Sequence, residues 1–305
     1  MELRHLRYLV AVAEEGSVTL AAARRLHTAQ PSLSRQLRDL EREVGVQLLV
    51  RGVRGIELTA AGRAFLDHAR LALSQVEAAT SAARRAAHPE QRTVALGFLS
   101  GSEPEWLPAV MHVLQEELPK IEVAISSKHS PQLAEGLVTG KLDAAFMRRE
   151  AGYPDLVYKV LITEPLMVVL PSDHRLASHD AIQALDFVGE TFIGMADQAP
   201  VLRSLIEDYF RRSGVELHPA HRVEYLSMAI SLVASTHGLA LLPDFARNFL
   251  TWSVISRPLA GAAPSIDLVL GYHKANTSPL LKLFLSRTDD LITRASQRSG
   301  SANGH

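Results

Sequence analysis

The spacing of apolar residues changes character once along this chain, near residue 93, and nothing else in the sequence limits the fold as much. Up to His88 apolar residues recur at helical intervals, whereas from Val94 short β-rich runs alternate with amphipathic segments. Side chains repeat about every 3.6 residues around a helix and every second residue along a strand, so neither pattern substitutes for the other. Two parts of different architecture are expected, in line with a prior of about two domains for 305 residues.

Three segments open the chain, Leu3 to Glu14, Val18 to Leu26 and Pro31 to Val44, and each reads as a helix. Ser17 is placed to cap the second and Thr28 the third, Pro31 suits a first helical turn, and Gly45 closes the third helix. Helix, short turn, helix, with a proline opening the second of the pair, is the layout of a helix-turn-helix. On the third helix Leu33, Leu37, Leu40 and Val44 form one apolar stripe, which turns Arg35, Arg38 and Arg42 outwards. Gln30 and Ser32 lie at its N-terminal end, where a recognition helix meets base edges. The run Leu48 to Leu58 (LLVRGVRGIEL) has two glycines that permit a tight hairpin and two arginines, Arg51 and Arg54, at its tip, and so reads as a wing.

From Thr59 no proline appears until Pro89, and Phe65, Leu66, Ala69, Leu73, Val76 and Ala83 keep helical spacing. One long helix is predicted, roughly 40 Å at 1.5 Å per residue. That exceeds what a small winged domain needs for its own core, so its apolar face is expected to bury against a second copy. His88 to Thr93 (HPEQRT) supplies a hinge.

Charge divides the chain at the same place. Residues 1–92 hold 14 arginines, no lysine and 10 acidic residues, a net +4, and the remaining 213 residues carry −5. Guanidinium is a planar fork that bonds two acceptors at once, so an arginine-only basic segment suits phosphates and base edges; ordinary surface charge is the plainer alternative.

Beyond the hinge, strands are predicted at Val94 to Phe98, Ile121 to Ser126, Leu142 to Met147, Leu166 to Pro171, Thr191 to Met195, Leu239 to Pro243 and Asp267 to Tyr272. Helices are predicted near Pro104 to Leu118, Pro131 to Thr139, Val201 to Ser213 and Ser227 to Thr236. The alternation argues an α/β domain with a mainly parallel sheet, as one large domain or two small ones. Gln297 to His305 lacks apolar content and reads as a disordered tail.

Several function classes find no support. Apolar stretches such as Leu166 to Leu170 fall far short of the roughly 18 residues of a membrane span, and Leu9 to Ala13 is too short for a signal-peptide core, so a cytoplasmic protein is expected. Without cysteine there are no disulfides, thiolate metal sites or cysteine nucleophiles. Gly97 to Gly101 has the wrong glycine-to-serine spacing for a nucleophile elbow. His174 with His179, and His218 with His221, lack a carboxylate at metal-site spacing and read as solvated loop histidines. Neither catalysis, a metal nor a cofactor is expected.

At this point the residues match a known pattern: Leu6 to Ala13, Ala21-Ala22-Ala23, Leu26, AQPSLSRQL from Ala29 to Leu37, Leu40-Glu41, Leu48-Leu49, Arg51 and Leu58-Thr59-Ala60-Ala61-Gly62. Gly97, Leu107-Pro108, Gly140 to Asp143, Glu164-Pro165-Leu166, Val233 and Gly238 to Pro243 continue it in order. The chain resembles the LysR-type transcriptional regulators over nearly its whole length, most of all the branch that regulates breakdown of aromatic acids such as benzoate and catechol. The resemblance implies an all-α winged helix-turn-helix at 1–58, a dimerising linker helix at 59–88, a hinge at 89–93 and a periplasmic-binding-protein-like α/β effector domain. Its first subdomain would be 94–163 with 268–296 and its second 164–267, leaving the tail at 297–305. A tetramer, an inverted-repeat promoter site and a small-molecule effector in the cleft are also implied. Three positions depart from the pattern: Leu49 where many members have Phe, Ala29 where many have a hydroxyl residue, and Gly101 where the aromatic-acid branch has serine, here flanked by Ser100 and Ser102.

The DNA-contacting set expected from these readings is Gln30, Pro31, Ser34, Arg35 and Arg38 on the recognition helix with Arg51 and Arg54 on the wing. For the effector, an aromatic or dicarboxylic acid, the polar candidates are Ser100, Ser102, Ser130, Arg148 and Ser227, with Pro200, Val201, Leu202 and Phe245 as walls, because open α/β sheets bind ligands beyond their strand ends. Arg148 would pair with a carboxylate. Any of these serines serves equally as a helix cap, and Arg148 beside Arg149 as a solvated pair. The leading function is a sequence-specific regulator under effector control; the alternatives are a ligand-binding module without DNA binding and an enzyme with an accessory DNA-binding domain.

Overall fold

A computed structural model describes residues 1–52, 55–87, 93–117 and 121–301. The chain falls into two compact units, residues 1–84 and 85–305. In the first, α1 (Leu3–Glu15), α2 (Val18–Leu20, continuing as a π-helical turn over Ala21–Arg25) and α3 (Gln30–Val44) pack with the hairpin β1 (Leu49–Gly52) and β2 (Gly55–Leu58), and α4 (Ala60–Ala87) follows. The buried stripe of α3 is Leu33, Leu37 and Leu40, set against Leu9, Val12, Ala21, Ala22 and Leu48.

The helix ends follow the chemistry of their residues. Ser17 caps α2, its Oγ accepting from Leu20 N at 3.3 Å, and Gly16 and Gly45 take the left-handed conformation that ends α1 and α3. Thr28 does not cap α3: that place belongs to Ala29, and the helix opens at Gln30 with Pro31 in its first turn. The turn bends sharply at His27, whose φ is +46°, and Thr28 N reaches back to the Ala22 carbonyl at 3.1 Å, so Thr28 closes the preceding turn instead.

Two anchors fix the hairpin. Glu41 Oε1 accepts from Leu48 N at 2.8 Å and Leu49 N at 2.9 Å, which ties β1 to α3. Ile56 N donates to the Gly16 carbonyl at 2.8 Å, which ties β2 to the end of α1. Thr59 then caps α4, its Oγ1 accepting from Gly62 N at 2.8 Å.

The second unit is a nine-stranded sheet in the order β4-β3-β5-β11-β6-β9-β7-β8, with β10 also paired to β6. The strands are β3 (Thr93–Leu99), β4 (Glu122–Lys128), β5 (Ala144–Met147), β6 (Leu156–Pro171), β7 (Phe192–Met195), β8 (His221–Val223), β9 (Leu239–Pro243), β10 (Val254–Pro258) and β11 (Ser265–His273). The helices are α5 (Glu103–Glu117), α6 (Ser130–Val138), α7 (Pro200–Arg212), α8 (Leu226–Thr236), α9 (Pro279–Ser286) and α10 (Thr288–Ser301).

The expectation of a mainly parallel sheet is corrected: β3 pairs in parallel with β4 and β5, and β7 with β8 and β9, but the centre is antiparallel. The cause is connectivity. The chain leaves the first half of the sheet along β6 and returns along β11, and neighbouring strands travelled outward and back must run in opposite directions.

The 16 residues of β6 serve both halves: Leu156 to Pro165 pair with β11, and Leu166 to Val169 pair with β9. The cores divide accordingly. One side of the first half is filled by Phe98, Trp106, Phe146, Phe284 and Leu291, the other by Leu133, Leu137, Met147 and Val269. The second half packs Val168, Phe187, Ile206, Phe210, Val233 and Leu241. The tail reading is also corrected in part: α10 runs to Ser301, so residues 297–301 continue a helix whose preceding turns bury Leu291 and Ala295, and 302–305 lie outside the described residues.

Candidate functional site: a nucleic-acid interface and a ligand cleft

The first unit presents a basic, polar surface on one side of α3. Burying Leu33, Leu37 and Leu40 forces Arg35 and Arg38 into solvent. Gln30 donates from Nε2 to Ser34 Oγ at 2.9 Å, and Arg38 Nε to the Ser34 carbonyl at 3.3 Å, so these side chains line up along one helix edge. Among the described residues Arg35 has no hydrogen-bond or ion-pair partner, whereas Arg42 is held by Asp39 at 3.1 Å. Gln30, Ser34 and Arg38 share an open groove with Ser17, Thr19, Gln47 and Gly55. Pro31 and Arg35 are exposed but outside that groove. Arg54 lies outside the described residues; Arg51 is on β1. An unpaired guanidinium on an exposed helix edge beside a hairpin is suited to base edges and phosphates.

In the second unit a cleft with a cavity of about 50 Å³ opens where β3, β5, α6, α7, α8 and β9 end or begin. Of the residues named for the effector, Ser100, Ser130, Arg148, Pro200, Val201, Leu202 and Phe245 line it. Ser102 and Ser227 do not. Ser102 is buried with its hydroxyl turned onto the Leu99 carbonyl at 2.7 Å, just ahead of α5. Ser227 is exposed in the first turn of α8. Ser102 thus spends its hydroxyl on local backbone, as serine beside a helix terminus commonly does.

Arg148 lines the cleft, and it is buried, at 4% exposure, rather than one of a solvated pair. Its amide donates to Ser130 Oγ at 2.9 Å, its Nη2 to Glu164 Oε1 at 2.8 Å, and its guanidinium lies 5.8 Å from the Phe245 ring centre. Glu164 uses its second oxygen to accept from Phe245 N at 3.0 Å, so one carboxylate on β6 joins the residue after β5 to the second residue beyond β9. Arg148 Nη1 is buried with no hydrogen-bond partner. Ser100 is held by Ser127, hydroxyl to hydroxyl, at 3.0 Å. Gly101 has φ +96°, and a Cβ there would lie 3.5 Å from Phe245. A serine in that backbone conformation would be strained.

Residues that sequence reasoning missed complete the walls. His129 caps α6 from a buried position, its ring 4.9 Å from that of Tyr225, and its Nε2 has no partner. Glu150 lines the cleft with Oε1 buried and unpaired, and burial pushes its carboxyl above the usual range. At the rim Gln198 donates to Glu224 at 3.0 Å. Position after a strand was the available signal for His129 and Glu150, since they flank Ser130 and Arg148; nothing local marks Tyr225 or Glu224.

Known proteins share both parts. Residues 3–63 match the bacterial regulatory helix-turn-helix protein, lysR family, and residues 87–290 match the LysR substrate binding domain. The Hca operon transcriptional activator HcaR of Escherichia coli (strain K12) is 38% identical over 94% of this chain and 96% of its own. Among solved structures, full-length BenM aligns with TM-score 0.59 at 27% identity over 98% of each chain. Full-length CbnR complexed with its target DNA aligns with TM-score 0.56 at 25% identity over 96% of this chain and all of its own. No helix among the described residues is long and apolar enough to cross a membrane. A helix-turn-helix with its basic edge free, followed by a sheet with a built cleft, thus has its counterpart over nearly the whole chain, and the protein belongs to the LysR family of DNA-binding transcriptional regulators with an effector-binding domain.

Proposed function

We propose that this regulator reads promoter DNA with Gln30, Pro31, Ser34, Arg35 and Arg38 on α3 and with Arg51 and Arg54 on the wing, and that a small carboxylic acid held at Arg148 controls it. The observation that carries the effector reading is Arg148 Nη1, a buried cationic donor without a partner in a cleft walled by apolar side chains. A carboxylate is the acceptor that suits it, since hydrogen bonds between ionised partners are about twice as strong as neutral ones. Pro200, Val201, Leu202 and Phe245 favour an aromatic body. The relatives are named as regulators, and the chain is taken to act by binding without turnover, in the cytoplasm.

The apolar face of α4 is assigned to dimerisation, with a tetramer as the full assembly and an inverted repeat as the operator. Its 28 residues give it about 42 Å at 1.5 Å per residue, and among the described side chains of α4 Leu66 and Ala69 are buried while Leu71 is exposed.

A thermal-shift screen of the full chain against benzoate, salicylate, muconate and uncharged aromatics tests the reading. A ligand at 100 times its Kd stabilises the native state by about 2.7 kcal/mol. Carboxylates alone are expected to raise Tm, and Arg148→Met to abolish the rise. Stabilisation by uncharged aromatics equal to that by acids overturns the assignment of Arg148.

A further inference from the structure

Arg148 is not the only unsatisfied group in the cleft. Arg148 Nη1, His129 Nε2 and Glu150 Oε1 are each buried without a hydrogen-bond partner, and the three residues line one cavity. Buried polar atoms are almost always paired in folded proteins, so three orphans on residues that line a single cavity bear on the molecule that would fill it. The three differ in what they require. Arg148 offers only donors, and the histidine ring offers a donor or an acceptor according to its tautomer. An ionised Glu150 only accepts.

We infer that the effector is a hydroxylated aromatic monocarboxylic acid, its carboxylate on Arg148 and a ring hydroxyl donating to Glu150, and that Glu150 is the residue that excludes dicarboxylic acids. The inference rests on the carboxylate reading of Arg148 and narrows it. The same cavity is lined by Leu99, Met195, Val201, Leu202, Leu226 and Phe245, which offer a planar apolar body its walls. A second carboxylate would meet Glu150, with Glu224 at the rim and Glu164 already committed to Arg148 and Phe245 N. Like charges brought together in a partly desolvated site repel strongly. A hydroxyl at the same place donates a hydrogen bond that favours the ionised carboxylate, and so opposes the burial that pushes the Glu150 carboxyl above its usual range. A site built to accept a hydrogen bond also discriminates against the ligand that lacks the hydrogen, because the acceptor is then left unpaired.

Isothermal titration of the full chain with benzoate, 3-hydroxybenzoate, 4-hydroxybenzoate, terephthalate and phenol tests this. At least one hydroxybenzoate is expected to bind tenfold or more tighter than benzoate, and terephthalate tenfold or more weaker. Glu150→Leu should collapse the preference for the hydroxyl to within about threefold. Glu150→Gln, which keeps an acceptor and removes the charge, should retain part of that preference while lifting the penalty on terephthalate. If benzoate and both hydroxybenzoates bind alike and terephthalate equals them, the Glu150 assignment falls and the carboxylate reading of Arg148 stands. If no acid binds, or phenol binds as tightly as the hydroxybenzoates, both fall.

Discussion

Arg148 and Glu164 form an ion pair whose side chains are 5% and 9% exposed, and at that depth each charge depends on the other. Removing one partner of a buried pair leaves an uncompensated charge and costs about 3–5 kcal/mol, far more than the net worth of the pair. Glu164→Ala is therefore expected to lower the denaturation free energy of the full chain by that amount, and Glu164→Gln, which can still accept from Phe245 N, by less. Glu150 behaves in the opposite sense. Its carboxyl is raised in the folded state by desolvation, so its protonated form is favoured there: the stabilisation is complete below the ordinary carboxylate value and is lost as pH rises through the folded value. In the absence of ligand, Glu150→Gln should have a higher Tm than the parent at neutral pH, and the gap should close as pH falls to the ordinary carboxylate range. A gap independent of pH would remove burial of the charge as its cause. Of these residues Arg148 is legible in the sequence, because it follows an apolar β run. Its burial and its partner are not, since Glu164 is sixteen residues away on a strand whose first ten residues alternate too weakly to announce themselves.

The elements of the first unit were nearly all legible, and the reason is local. Its helices are set by caps, glycines and a 3.6-residue stripe, which act within a few positions. What spacing could not show is how the hairpin is held. Glu41, which fits the family pattern beside Leu40, turns out to accept from two amides of the segment that leads into β1. Leaving a buried donor unpaired costs about 1–3 kcal/mol, so Glu41→Ala should destabilise the unit by at least that much and weaken operator binding through the wing, while Glu41→Gln keeps part of both. Gly62 is placed by the same junction: a Cβ there would lie 2.0 Å from the Leu48 carbonyl oxygen, backbone that cannot move aside cheaply. Gly62→Ala is expected to cost roughly 1–3 kcal/mol or more, as overpacking does, read as a lower urea midpoint. In the second unit the short strand β8 and the helices α9 and α10 escaped the sequence reading. A three-residue strand carries too little alternation to detect, and the direction of β11 depends on where the chain returns from, which no local pattern records.

At the scale of the molecule, the separation of charge predicts how DNA binding responds to salt. The arginine-only residues 1–92 carry +4, and the rest carries −5, so the electrostatic attraction to phosphate belongs to the first part. A dimer presents each contact twice. If Arg38, Arg51 and Arg54 each neutralise one phosphate in both half-sites, about six counterions are released, and log K against log salt should fall with a slope of about −5. Arg54→Ala removes about two of the six, which should flatten the slope to about −3.6 and weaken specific and random duplexes alike. Arg35, which has no partner among the described residues, is assigned to base edges. Arg35→Ala should cost about 1–3 kcal/mol on the operator with little change in slope, and should relax base preference. Fluorescence anisotropy on operator and scrambled duplexes across a salt series separates the two roles. Equal losses on both duplexes for Arg35→Ala would move that residue to the phosphates. Linkage then connects the series to the cleft: an acid that changes operator affinity by some factor must have its own affinity changed by the same factor when operator is bound. Titrating 4-hydroxybenzoate into the free protein and into its operator complex is expected to return that common factor. Equal acid affinity in both states, alongside an operator affinity that shifts with the acid, would violate the cycle and show that the acid acts on the DNA-binding measurement from somewhere other than this protein.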